Sequence, residues 1–120
     1  MRITLDSSVL IAAYVARAGA CAELLEEVLQ HHEFVLSSHI LDEVRRKLTF
    51  KLLLPPRLVT RVVQSLARAA TMVADVPVLG TAVAGDAELL VSVDNDLLVL
   101  KRYATVDIVR PSEFWNRVAR

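Results

Sequence analysis

Two short apolar runs, Ile3-Thr4-Leu5 and Leu89-Leu90-Val91-Ser92-Val93, are each closed by an aspartate, Asp6 and Asp94. Short runs that are apolar nearly throughout, instead of alternating, are the mark of strands buried on both faces. Such strands belong to parallel sheets with helices on either side. In open α/β sheets, ligand sites gather outside the carboxyl ends of the strands. Two carboxylates delivered to one rim repel each other unless a cation sits between them. The pattern therefore points to a divalent-metal site at the strand ends.

The rest of the chain supplies the helices such a sheet needs. After a strand over Arg2–Leu5, Ser7 and Ser8 can cap a helix through Leu10-Ile11-Ala12-Ala13-Tyr14, which Gly19 breaks. Ala20–His32 is rich in Ala, Leu and Glu and reads as a helix with Leu24 and Val28 on one face. Phe34-Val35-Leu36 reads as a strand. A helix over Ile40–Leu53 follows, stopped by Pro55-Pro56. Arg57–Ala70 is a further helix with Leu58, Val62 and Leu66 in register. Thr71-Met72-Val73 is a short strand. Asp75 caps a helix that begins near Val76, reaches about Ala84 and stops at Gly85. A strand over Leu89–Val93, a helix over Asn95–Leu100, a strand over Val106–Val109 and a helix opened by Pro111 complete the chain. Strands alternating with helices predict an α/β fold, a three-layer αβα sandwich around a central, mainly parallel sheet.

At 120 residues the chain is expected to form one domain over 1–120. A composition that is 54% hydrophobic excludes intrinsic disorder. No apolar stretch reaches the about 18–20 residues that cross a bilayer. Met1-Arg2-Ile3-Thr4-Leu5-Asp6 does not read as a signal peptide, because a carboxylate interrupts it at once. Cys21 is alone, so neither an intrachain disulfide nor a cysteine-based zinc site is expected. These features fit a cytoplasmic protein. A formal net charge of +0 argues against broad coating of nucleic acid, which needs many cation–phosphate contacts. A local basic strip is still present: Arg45, Arg46 and Lys47 lead it, and Lys51, Arg57, Arg61 and Arg68 extend it. Such a strip reads either as solvated helix faces or as a phosphate-contacting, RNA-binding surface. Near-neutral charge with an apolar composition also favours self-association or a bound partner.

Four carboxylates fall at element boundaries or on a helix flanking the rim: Asp6, Glu43, Asp75 and Asp94, with Asp96 two positions beyond the last. Glu43 is preferred over its neighbour Asp42 because Ile40, Val44 and Lys47 share its flank. Magnesium takes oxygen ligands and keeps several waters, so a few rim carboxylates suffice. Two such ions about 3.5–4 Å apart can clamp the attacking and leaving oxygens of a phosphodiester. Each residue also has a plainer reading. An Asp after a strand often serves as a cap or turn former, Asp75 as an N-cap, and Asp96 as a support. His31 and His32 read as exposed residues at a helix C-terminus, His39 as a surface or capping residue, and Phe114 and Trp115 as packing for the last helix.

The chain resembles the PIN-domain family of ribonucleases and, within it, the VapC-like toxin components of bacterial toxin–antitoxin pairs. The resemblance is carried by Leu5-Asp6-Ser7-Ser8-Val9-Leu10-Ile11, by Ser38-His39-Ile40-Leu41-Asp42-Glu43-Val44, by Asp75 with Val78-Leu79-Gly80-Thr81-Ala82, by Ala87 through Leu98, and by Ile108-Val109-Arg110-Pro111-Ser112-Glu113-Phe114. It implies an acidic pocket in which Asp6, Glu43, Asp75 and Asp94 hold Mg²⁺ or Mn²⁺, with Asp96 an auxiliary acid at its edge. It also implies that Ser7 and Ser92 orient carboxylates or water. The implied activity is metal-dependent hydrolysis of single-stranded or looped RNA. The implied partners are an antitoxin whose segment covers the pocket and a second copy of the chain in a homodimer.

One departure from the family separates two readings. Relatives carry an acidic, proline-containing loop, resembling Arg-Asp-Pro-Asp-Asp, before the helix that starts here near Val76. In this chain Met72-Val73-Ala74 runs almost directly into Asp75. A shift of Asp75 by about an ångström can cost about 10²-fold in rate. The leading expectation is an endoribonuclease toxin. The alternative is a catalytically impaired PIN-fold module that binds RNA or an antitoxin. A receiver-like phosphoacceptor ranks below both, because no strand ends in the paired acids or late Lys that chemistry needs.

Overall fold

Alternation along the strands sorts the chain into layers. The computed structural model describes residues 1–16, 19–74 and 76–118. The elements run β1 Arg2–Leu5, α1 Ser7–Val15, α2 Ala20–His31, β2 Glu33–Ser37, α3 Ser38–Arg46, a π-helical turn Lys47–Lys51, α4 Pro56–Ala69, β3 Thr71–Val73, α5 Val78–Ala84, β4 Leu89–Val91, α6 Asn95–Leu98, β5 Arg102–Tyr103, β6 Val106–Val109 and α7 Pro111–Arg117. Ile3, Leu5, Phe34, Leu36, Leu89 and Val91 join one core with apolar residues of α1, α2, α3, α4 and α7. Leu90, Val106 and Ile108 join a second core with Ala82, Ala87 and Leu98 on the α5–α6 side. Successive residues of a strand point to opposite faces, so these two sets define three layers with the sheet in the middle.

The sheet order is β3-β2-β1-β4-β6-β5. Every pairing is parallel except that of β5 with β6. The chain steps from β1 outward through β2 to β3, then returns to the other side of β1 for β4 and β6. The order reverses between β1 and β4, where a crevice opens at the carboxyl ends. Register makes those ends level: Leu5 pairs with Val91, and Val91 with Val109. The ladder runs on into the loops, with Asp6 N–H donating to Val91 O at 2.9 Å and Ser92 N–H to Val109 O at 3.0 Å.

Several boundaries differ from the sequence expectation. The helix expected over Ile40–Leu53 is α3 followed by the π turn, in which Leu52 N–H reaches back five residues to Lys47 O at 3.1 Å. Wider turns of this kind recur at functional sites. The helix expected near Val76 begins at Val78, with Pro77 at its N-cap in an extended conformation. The reason is local: a proline pushes the residue before it out of the α region, so Val76 cannot open the helix, whose N-cap is Pro77. Asp6, not Ser7 or Ser8, is the N-cap of α1. The fourth strand ends at Val91 instead of Val93, and the following helix at Leu98 instead of Leu100. The short antiparallel β5 was not anticipated.

One glycine fixes how α5 lies on the sheet. A Cβ at Gly85 would overlap Val35 Cγ1 of β2, so only a hydrogen at this position lets the helix end settle there. Arg2 Nε then donates to Gly85 O at 2.6 Å, tying the same spot to β1.

Candidate functional site

Asp6 is the anchor of the rim. It is 8% exposed, at the junction of β1 and α1. One oxygen, Oδ1, accepts the Ser7 N–H at 2.7 Å. The other, Oδ2, accepts the Ser92 hydroxyl at 2.8 Å, with Ser8 Oγ 3.5 Å away. Ser92, fully buried just beyond β4, also accepts the Asp94 N–H at 3.0 Å. A single hydroxyl thus joins the two strand-end aspartates, through the carboxylate of one and the backbone of the other. Asp94 caps α6, its Oδ1 accepting the Asp96 N–H at 2.9 Å.

Asp6, Ser7, Ser8 and Asp94 line a cleft of about 390 Å³ at the carboxyl edge of β1 and β4. Asp6, Glu43 and Asp94 reach it from three separate elements, together with Ser7, His39 and Lys47. Pro77, Val78, Val93 and Leu97 form apolar walls. The choice between Asp42 and Glu43 is decided by the helix face: Asp42 points to solvent and pairs with Arg45 at 2.6 Å, whereas Glu43 lines the cleft. Lys47 is the basic residue in the cleft lining, and its Nζ donates to Ser7 Oγ at 3.0 Å. Arg45 and Arg46 are exposed and outside that lining. The Asp96 side chain is also exposed and outside it; the contact Asp96 makes to the rim is its N–H. Asp75 lies outside the described residues.

Sequence reasoning passed over two features. His39 lines the cleft, with Nε2 3.4 Å from Glu43 Oε1 one helical turn away. Partly exposed pairs of this kind contribute little to stability; this one lies on the cleft face of α3. Second, Ser37 at the end of β2 and Thr81 in α5, both fully buried, share a hydrogen bond of 2.7 Å. Both hydroxyls also reach Val76 O, at 3.1 and 3.0 Å. The backbone that leads into α5 is thereby pinned to the sheet end. The signal was available: a hydroxyl inside a short apolar run is a buried polar group in need of a partner.

The donor set is all carboxylate and hydroxyl oxygen apart from His39 and Lys47, which suits magnesium or manganese better than zinc or copper. Among the described residues, no three His, Cys, Asp or Glu side chains stand close enough to hold one ion. An ion here would rest on one or two carboxylates and otherwise on water or a bound phosphate, as magnesium often does.

No family model and no curated protein sequence matches this chain. Among solved structures, a chain of VapBC2 from Rickettsia felis, bound to a DNA fragment from their promoter, matches with a TM-score of 0.64. The match covers 92% of this chain and 98% of that one at 13% sequence identity. At such identity the likeness is one of fold, and it bears out the three-layer, PIN-like α/β architecture expected from the sequence. Among the described residues, no single helix is long and apolar enough to cross a membrane.

Proposed function

We propose that the cleft is the active site of an Mg²⁺- or Mn²⁺-dependent endoribonuclease, the toxin of a toxin–antitoxin pair. The observation that carries this reading is the meeting of Asp6, Glu43 and Asp94, distant in sequence, in one crevice at the strand-order reversal. The fold likeness to a chain of VapBC2 supports the toxin–antitoxin setting, and with it an antitoxin partner. Of Asp6, Glu43 and Asp94, one or two would hold the metal directly and the rest through bound water. Asp75, which lies outside the described residues, would be a fourth acid, as the family resemblance implies. The ion would supply charge neutralisation at phosphorus and an activated water for attack on it. Ser92 fixes Asp6 and the Asp94 backbone relative to each other. Ser7 presents its hydroxyl to Lys47, whose ammonium can take a phosphate oxygen as a point charge.

A second reading has its own support. No three-residue cage is present among the described residues, and the approach to Asp75 is short. Both favour a module that binds RNA or an antitoxin with impaired catalysis. Incubation of total RNA with the protein separates the two. The nuclease reading expects cleavage with Mg²⁺ or Mn²⁺, its loss in EDTA, and at least a ~10²-fold drop in Asp6→Ala and Asp94→Asn. Cleavage that persists in EDTA or in Asp94→Asn rules out the metal-dependent site. Tight RNA binding without metal-stimulated cleavage selects the impaired module.

A further inference from the structure

The chain has no net charge, yet its charges are segregated. Residues 44–74 hold seven of the 14 Lys and Arg residues and none of the 14 Asp and Glu. The same stretch leaves large apolar side chains in water: Phe50 is 74% exposed and Leu53 78%. Packing does not demand this, since neighbouring Leu48 is fully buried. Among the described residues, Lys51, Arg57 and Arg61 form no ion pair.

These cations lead away from the cleft. Lys47 and Ser8 line both the acidic cleft and an adjoining groove, which Lys51 shares with the apolar Ile11, Ala12, Val15 and Leu52. Three residues further on, Pro55, Arg57, Leu58 and Arg61 line a third depression at the start of α4. Arg57 and Arg61 are one helical turn apart and share a flank. Phe50 belongs to the turn between Lys47 and Lys51.

We propose that the Lys47–Arg61 stretch is the track along which single-stranded RNA enters the cleft, with Lys51, Arg57 and Arg61 on phosphates and Phe50 stacked on a base. This rests on the reading of the cleft as a site of RNA hydrolysis. Charge complementarity selects a polyanion. An exposed ring favours unpaired bases, because a duplex keeps its base faces stacked inside. A groove that shares Ser8 and Lys47 with a concave cleft suits a strand, which can enter it, better than a bilayer, which cannot.

The test is binding of an oligouridine single strand to the full chain in EDTA, across a salt series. Counterion release contributes a slope of about −0.7 per phosphate contact on a single strand. The variant Lys51→Ala/Arg57→Ala/Arg61→Ala should therefore flatten the log–log salt dependence by about 2 and bind roughly 100-fold more weakly at about 0.1 M salt. Phe50→Leu should bind roughly five- to a hundredfold more weakly with its slope unchanged, and Phe50→Tyr should restore binding. All of these side chains are exposed, so unchanged melting curves confirm that the fold is intact. Wild-type affinity in the triple variant overturns the proposal. So does an equal loss on blunt duplex RNA, or a loss confined to mixed phosphatidylcholine–phosphatidylserine vesicles. Oligouridine binding with these shifts, in a protein that cleaves no RNA, keeps the track and removes the nuclease. Metal-dependent cleavage with unchanged KM in the triple variant does the reverse.

Discussion

Ser92→Ala removes one oxygen and tests the rim directly. Ser92 Oγ donates to Asp6 Oδ2 at 2.8 Å and accepts the Asp94 N–H at 3.0 Å. A hydrogen bond to a charged partner contributes about 1.5–3 kcal/mol and a neutral one about 0.5–1.5 kcal/mol. The Asp94 N–H is partly exposed and can turn to water, so its loss counts at the low end. The expected cost is about 2–4 kcal/mol, which for a chain of this size lowers Tm by roughly 10 °C. Urea denaturation gives the free energy, and a double-mutant cycle with Asp6→Asn isolates the Asp6–Ser92 share. A coupling of about 1–2 kcal/mol is expected, since both residues belong to one network. A cost below about 0.5 kcal/mol, or the same cost in the Asp6→Asn background, would refute the claim that this hydroxyl joins the two strand ends. In the cleavage assay the same variant should lose about 10–100-fold, as changes beside metal ligands do.

Two further outcomes follow from burial. Thr4 Oγ1 is fully buried and has no hydrogen-bond partner among the described residues, so Thr4→Val should stabilise the chain by about 1 kcal/mol in urea denaturation, and a loss of stability would show that the hydroxyl is satisfied after all. Burial pushes the Tyr14 phenol above its ordinary pKa. The folded state therefore holds that proton more tightly than the unfolded chain, and stability is complete below about pH 10 and falls as pH rises through the ordinary value toward the folded one. Tyr14→Phe should flatten that alkaline decline, measured as the urea midpoint against pH; an unaltered decline would trace it to other groups.

The parts of the site that could be read from sequence are those on strand ends. Asp6 follows directly on the largely apolar run of β1, and Asp94 stands three residues beyond β4, so both fall at the carboxyl rim of the sheet. Glu43 followed from helix register, since Ile40 and Val44 had to face the core. What escaped depends on contacts between distant segments. The order β3-β2-β1-β4-β6-β5 leaves no local mark. The π turn is invisible because Lys47-Leu48-Thr49-Phe50-Lys51 continues a helical sequence with no Gly or Pro to signal the change. The start of α5 follows the constraint Pro77 places on Val76, which outweighs the capping preference of the aspartate before it in the sequence. The two-residue β5 is too short to have a pattern at all.

How the rim survives folding with three carboxylates and a single lysine bears on what the metal does. Asp6, the most buried, has both oxygens engaged by donors of the chain itself. Asp94 is exposed and Glu43 partly so, which leaves their charges largely to water. Lys47 places a positive charge in the same cleft. Hydrogen bonds of the chain itself thus hold Asp6, a support that small metal-nucleated domains, which unfold when stripped, do not have. Metal should add to a fold that already exists: at ten times its Kd, an ion that binds only the folded chain stabilises it by about 1.4 kcal/mol. The EDTA-treated protein should therefore melt cooperatively, Mg²⁺ or Mn²⁺ should raise Tm by a few degrees, and Asp94→Asn should abolish the rise while keeping the cooperative melt. A chain without a cooperative transition in EDTA would show that the hydrogen bonds around Asp6 do not hold the rim together. A Tm indifferent to either ion in the wild type would remove the metal from this cleft.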